Sequence, residues 1–234
     1  MKPGVMTLNS KQVEEVNWWR NFIKPMGRAG FLDIRRQDWD VTVRYLPEIL
    51  AATGRGLDLG CGPVSIFERS KISGEVYAVD ALLSEYKKII LTENTKIENG
   101  PALHYLEDNG EKLSFGDNYF DWAMCRNVID HTLNPGKMIA EIRRVLKPEG
   151  KLYFEVNFDQ ILGTAHYDLW NRDSVRRYFD GFRVAVERIQ EKPEYRQQGF
   201  WAMLVNHKRK GAEVSLGGLL KRWVSRAFFE KTPV

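Results

Sequence analysis

From Gly56 onward, short apolar runs alternate with stretches of helical spacing. Gly56-Leu57-Asp58-Leu59 is a compact apolar run ending in Gly60-Cys61-Gly62-Pro63. Glu75–Val79 predicts a second strand ending at Asp80, Ala102–Leu106 a third, Phe120–Cys125 a fourth and Lys151–Asn157 a fifth. Helical spacing follows the glycine turn, recurs over Tyr86–Thr92, and is strongest over Asn134–Leu146, which Lys147-Pro148-Glu149-Gly150 stops. Strands alternating with helices at this spacing predict a parallel sheet covered on both faces. Phe182–Ile189 and Phe200–His207 then read as an antiparallel pair, after a connection with Tyr167, Trp170 and a helix near Asp173–Phe179. The expected fold is α/β, doubly wound, with a mostly parallel sheet of seven strands.

Two flanking segments break this rhythm. Before the first strand the pattern predicts a helix over Lys11–Lys24, capped by Ser10 and ended by Pro25, and a second over about Gln37–Ala52. After the last strand, Leu216, Leu219, Leu220, Trp223, Val224, Ala227 and Phe228 recur at helical spacing, with Lys221, Arg222 and Arg226 on the other face. The chain thus divides into an N-terminal helical cap (1–45), a central domain (46–210) and a basic amphipathic tail (211–234).

The chain has 234 residues, 43% hydrophobic and 28% charged, with a net charge of +4. That balance argues against disorder, and no apolar run approaches membrane-spanning length. Met1–Ser10 does not read as a secretory leader. Two cysteines, Cys61 and Cys125, cannot build a disulfide framework or a zinc cluster, and a reducing cytoplasm suits them. Residues 201–234 hold seven Lys or Arg against two Glu, so the body is slightly acidic and does not read as a nucleic-acid-binding surface.

In an open parallel sheet, ligands bind beyond the carboxyl ends of the strands. Four such ends carry candidate chemistry: Asp58–Pro63, Asp80-Ala81, Asp108–Gly110 and Arg126–His131. Glycines in the first let the backbone approach a ligand, or simply make a tight turn. Asp80 is a carboxylate placed to accept two ribose hydroxyl protons, or a solvated strand-end charge. Asp108-Asn109-Gly110 offers an amide and backbone N–H groups, or an ordinary polar turn.

Together these segments resemble the class I S-adenosylmethionine-dependent methyltransferases, especially the small-molecule subgroup opening with Leu-Asp-Leu-Gly-Cys-Gly. Here that opening is Leu57–Gly62. Val79-Asp80, Asp108–Phe115, Asn118–His131 and Glu141–Gly150 are similar to the family's later motifs, in order. The resemblance implies a Rossmann-like methyltransferase fold and S-adenosylmethionine as cofactor. It implies that Gly60, Cys61 and Gly62 pass the methionine portion, with Asp58 orienting the ammonium. Asp80, followed by Ala81, would hold the ribose. Asn109 and Gly110 would face the adenine, and Arg126 or Asn127 would line the methionine end. Three departures stand out: Val64-Ser65 where a third glycine is usual, Asn109 where Asp is commoner, and Ser114 for the usual Pro. A Gly at the position of Ser65 is also what a nicotinamide-binding turn would require.

The expected activity is methyl transfer to oxygen or nitrogen of a small molecule or saccharide. His131 is the first candidate base and His166 the second; His104 and His207 fall in strand patterns and read as structural. No metal-ligand set is expected. The rival readings are a non-catalytic cofactor-binding regulator or scaffold and a nucleic-acid methyltransferase. Against the latter, Cys125-Arg126-Asn127-Val128 replaces the Asn/Asp-Pro-Pro-aromatic motif of many base-amino methylators. Trp18, Trp19, Phe22, Trp39 and Tyr45 read as core packing or as a lid over the cofactor. The tail over 215–229 reads as a helix that docks on its own domain, pairs two protomers, or lies peripherally on an anionic membrane.

Overall fold

A computed structural model of the chain describes residues 8–158, 170–192 and 197–208. Two helices come first, α1 (Ser10–Ile23) and α2 (Gly27–Tyr45), followed by a 3-10 turn over Pro47–Ala51. The strands are β1 (Arg55–Leu59), β2 (Glu75–Asp80), β3 (Thr95–Lys96), β4 (Ala102–Glu107), β5 (Phe120–Arg126), β6 (Leu146–Phe158), β7 (Phe182–Lys192) and β8 (Gln197–Asn206). Between them lie α3 (Leu83–Tyr86), α4 (Pro135–Val145) and α5 (Arg172–Arg176).

The strands form one eight-stranded sheet in the order β3-β4-β2-β1-β5-β6-β8-β7. β4, β2, β1, β5 and β6 run parallel, while β8 pairs antiparallel with both β6 and β7. The expected seven strands gain an eighth, the two-residue β3, antiparallel on the edge of β4. Central strands are buried on both faces, so they read as continuous apolar runs; Leu57, Ala123, Met124 and Cys125 are completely enclosed. One core cluster packs α4 on the sheet through Ile139, Ile142 and Val145. The opposite cluster places Trp39 of α2 among Phe67, Trp122, Met124 and Trp201.

The helical flank departs from expectation in register. Asn9, not Ser10, caps α1: its side chain accepts from the Gln12 N–H, and the Gln12 side chain accepts from the Asn9 N–H. α2 begins ten residues earlier than its apolar spacing predicts and ends at Tyr45, because Pro47 cannot continue a helix. After the glycine turn only a 3-10 turn, Ile66–Arg69, forms, and α3 stops at Tyr86. Two predicted features, His166 with its neighbour Tyr167 and the tail 211–234, lie outside the described residues. Among the described residues no helix is long and apolar enough to cross a membrane.

Candidate functional site

The chain runs outward from β1 through β2 to β4, then returns to place β5 on the other side of β1. The order therefore reverses at β1 and β5, and a crevice opens above their carboxyl ends. A cavity of about 820 Å³ occupies it, lined by segments after β1, β2, β4 and β5 and closed on one side by α1. Asp58, Gly60, Cys61, Gly62, Asp80, Ala81, Asn109, Gly110, Arg126, Asn127 and His131 all line it.

The glycine turn owes its shape to two left-handed residues, Gly60 (φ +71°) and Gly62 (φ +65°). A Cβ on Gly60 would lie 2.2 Å from the Val128 side chain, so this position admits no other residue without a shift. The turn is tied to β2: the Gly62 N–H donates to the Asp80 carboxylate (3.0 Å), whose other oxygen accepts the Leu82 N–H (2.9 Å). Burial pushes the Asp80 carboxyl up to about 6, against those two N–H donors, which pull it down.

Asp58 is buried beneath the turn and accepts the Ser65 hydroxyl at 2.6 Å. Burial raises it to about 6, opposed by the Ser65 hydrogen bond and by the Arg126 and Arg35 charges. This gives Ser65 a function where a third glycine is usual. Ser65 and Val64 are wholly buried behind the turn and do not line the cavity, so they leave it open. The Cys61 thiol is driven well up by burial beside Asp80 and Asp58, and stays protonated.

After β4, Asp108 accepts the Asn109 N–H and both the N–H and hydroxyl of Ser114, each at 2.8 Å. Ser114, standing where proline is usual, thus fastens this loop. The Asn109 side-chain oxygen accepts the Glu111 N–H at 2.8 Å, which turns the segment back on itself.

Arg126 ends β5 but its guanidinium is committed. Nε lies 2.8 Å from the wholly buried Glu155 of β6, and Nη2 donates to Asp38 of α2 at 2.9 Å. Arg35 approaches the other oxygen of Asp38. This network braces α2 against the strand ends. Asn127 follows with φ +48°, its N–H donating to the Glu155 carbonyl at 2.9 Å.

His131 closes a 3-10 turn over Ile129–His131 and faces α1, its Nδ1 3.4 Å from the Glu15 carboxylate. Glu15 also accepts the Trp19 indole N–H at 2.7 Å. His104 lies instead against the Tyr77 ring, and His207 is exposed beside Glu149. Trp170 packs in the core on Tyr178. Among the described residues, no group of three or more His, Cys, Asp or Glu is placed to hold a metal ion.

Sequence reasoning missed Glu15, Arg35, Asp38 and Glu155. Only Glu155 left a trace, as a charge inside the apolar run of β6.

Residues 57–154 match the family model described as a methyltransferase domain. That stretch, less than half of the chain, is similar to the class I S-adenosylmethionine-dependent methyltransferases. This domain is similar, at 33% identity over 113 residues, to a methyltransferase of Schizosaccharomyces pombe, covering 45% of this chain and 41% of that one. It is 26% identical over 156 residues to the ubiquinone biosynthesis O-methyltransferase of Rickettsia prowazekii, covering 62% of this chain and 58% of that one. The chain thus spans about half the length of these curated relatives. An S-adenosylmethionine-dependent methyltransferase of Methanosarcina mazei shares the fold, with a TM-score of 0.51 at 17% identity over 66% of this chain and 93% of that one.

The methyltransferase domain's cofactor is S-adenosylmethionine, and the residues present fit it. Two glycines leave a backbone cradle free of side chains, a strand-end carboxylate stands next to it, and the cavity is within the usual range for a ligand of that size.

Proposed function

We propose that this chain transfers a methyl group from S-adenosylmethionine to an oxygen or nitrogen of a small molecule or saccharide. The observation that carries this reading is the single cavity into which the ends of β1, β2, β4 and β5 project Asp58, Asp80, Asn109 and the Gly60–Gly62 cradle. The relative named for ubiquinone O-methylation favours oxygen as the acceptor atom.

The cofactor brings a methyl already activated on a positively charged sulfur. The chain's task is to hold the two reactants in line and exclude water, which supplies much of the rate in such a displacement. Asp80 retains a free lone pair on each oxygen for the ribose hydroxyls, since each accepts one N–H. Asp58, steadied by Ser65, faces the ammonium. Asn109 and the Gly110 N–H border the adenine. Arg126, fixed by Asp38 and Glu155, is a rigid wall rather than a mobile clamp. α1 closes the cavity against solvent, with Trp19 3.6 Å from where a Gly62 Cβ would lie.

His131 takes the acceptor proton at an imidazole nitrogen, with Glu15 orienting the ring. Replacing His131 by Ala then lowers turnover roughly a hundredfold while sparing cofactor binding. Retained turnover would leave catalysis to alignment alone. The reading as a whole is tested by calorimetric titration with S-adenosylmethionine and, separately, S-adenosylhomocysteine. Micromolar binding of both, followed by methyl release to an acceptor, supports it; a folded protein that binds neither overturns it.

A further inference from the structure

The cavity is much larger than the cradle around the glycine turn, and its outer part has a distinct chemistry. Along α1, Lys11, Glu14, Glu15, Trp18 and Asn21 recur at helical spacing and line it as one stripe. Trp18 is the aromatic member of that stripe and is 53% exposed, although α1 buries Val16 and Ile23 elsewhere. Its ring is held rather than loose: Phe22 stacks on it at 5.0 Å with an interplanar angle of 10°, and Trp19 abuts it edge-on at 4.8 Å. A large aromatic ring, backed by Phe22 on one side, is thus fixed at the mouth of the cavity and stays more than half exposed among the described residues.

The same cavity is lined by amides, Gln12, Asn17 and Asn21 from α1 with Asn127 and Asn157 from the strand ends. Amides both donate and accept, and suit hydroxyl groups. Charge narrows the choice further. Eight Asp or Glu line the cavity against three Lys or Arg, and two of those cations, Arg35 and Arg126, are already paired with Asp38 or Glu155. The third, Lys11, is engaged as well, so an anionic acceptor would meet this surplus of carboxylates with every lining Lys and Arg already committed. A flat arene would find apolar contact on one side only.

Building on the methyl-transfer reading above, we propose that the acceptor is a non-anionic saccharide whose ring stacks on Trp18, with its hydroxyls received by the surrounding amides and carboxylates. One sugar face is lined with C–H groups and fits an indole, while its edge carries the hydroxyls that the rim can bind. Trp18 sets the acceptor class, and the glycine cradle remains with the cofactor.

Saturation-transfer NMR on the full chain loaded with S-adenosylhomocysteine tests this, using methyl β-D-glucopyranoside, methyl α-D-mannopyranoside, glucosamine, glucose 6-phosphate and catechol as probes. Transfer is expected to the ring protons of at least one uncharged or amino sugar, and not to glucose 6-phosphate. Trp18→Ala should weaken it roughly fivefold or more, with Trp18→Phe restoring part and S-adenosylhomocysteine affinity unchanged. Preference for catechol or the phosphate ester, absence of transfer to every sugar, or sugar binding indifferent to Trp18→Ala would overturn the proposal. If S-adenosylhomocysteine does not bind, the methyl-transfer reading fails on that result, and the same probes on the cofactor-free protein still decide whether Trp18 binds sugars.

Discussion

Asp58 lies in β1 just before the glycine turn and Asp80 meets that turn from β2, and burial holds both near 6 instead of the ordinary 3.8. Between about pH 4 and 6 the folded chain therefore keeps protons that the unfolded chain releases. Their burial opposes folding increasingly as pH rises through that window and is fully in force above it. Cofactor binding has the opposite sign, because a positively charged sulfonium and two ribose hydroxyls both favour the ionised carboxylates. Calorimetric affinity for S-adenosylmethionine should be level above about pH 6 and fall below it, by up to roughly tenfold per pH unit for each group. Asp80→Asn should remove part of that slope and cost about 1–3 kcal/mol of binding. Because Asp80 also anchors the Gly62 and Leu82 N–H groups, its melting temperature should be measured alongside. Arg126 poses the converse case. Arg126→Met deprives the fully enclosed Glu155 carboxylate of the cation 2.8 Å from it, and a loss of about 3–5 kcal/mol in denaturant unfolding is expected, whereas Arg126→Met with Glu155→Gln recovers much of it. Asp80 was readable from the sequence because it ends an apolar run. The Arg35–Asp38–Arg126–Glu155 network was not, since the α2 pair Arg35–Asp38 lies far along the chain from Arg126 and Glu155 and meets them only when α2 crosses the strand ends.

Among the elements, the turn between β1 and the following 3-10 segment is the most constrained. Gly60→Ala meets both a left-handed backbone and Val128, so it should abolish cofactor binding in a titration. Gly60→Ala with Val128→Ala relieves the collision but not the backbone penalty of about 1 kcal/mol or more, and should recover binding only in part. The central strands and α4 were legible because burial on two faces, or on one helical face with Asn134 as a cap, leaves a continuous pattern. α2 was only half legible. Its first turn, Gly27-Arg28-Ala29-Gly30, carries two glycines and no capping side chain, so nothing local announces a helix there. Packing of Phe31 and Leu32 against Ile23 and Val64 forms it instead. The position of α1 over the cavity was the choice that aromatic content alone left open: Trp19 packs inward, Trp18 outward.

For the molecule as a whole, the sheet is a platform whose carboxyl edge holds the ligand while both faces are sealed by core. A ligand bound there touches segments from four strands and α1 at once, so its binding energy is shared by the entire fold. Saturation with S-adenosylhomocysteine at a hundredfold excess over its Kd should add about 2.7 kcal/mol to stability and raise the melting temperature by roughly 5–10 °C. A scanning-calorimetry shift confined to a minor transition would instead show that the cavity reports on α1 alone. The parallel run of central strands was foreseeable from the alternation of elements. The added edge strand β3 was not, because two residues carry no periodicity.

β7 forms the far border of the sheet, eleven residues long, with one flank unpaired among the described residues. Such a border invites another chain to add itself on and begin a fibril. Here a register shift between Val184 and Val186 breaks its straightness, and Glu187 binds both Arg172 and Arg176. Although Val184 and Ile189 are each 41% exposed there, the kink and the charge cluster make that border a poor template. Addition of a second chain's strand along this border is therefore disfavoured.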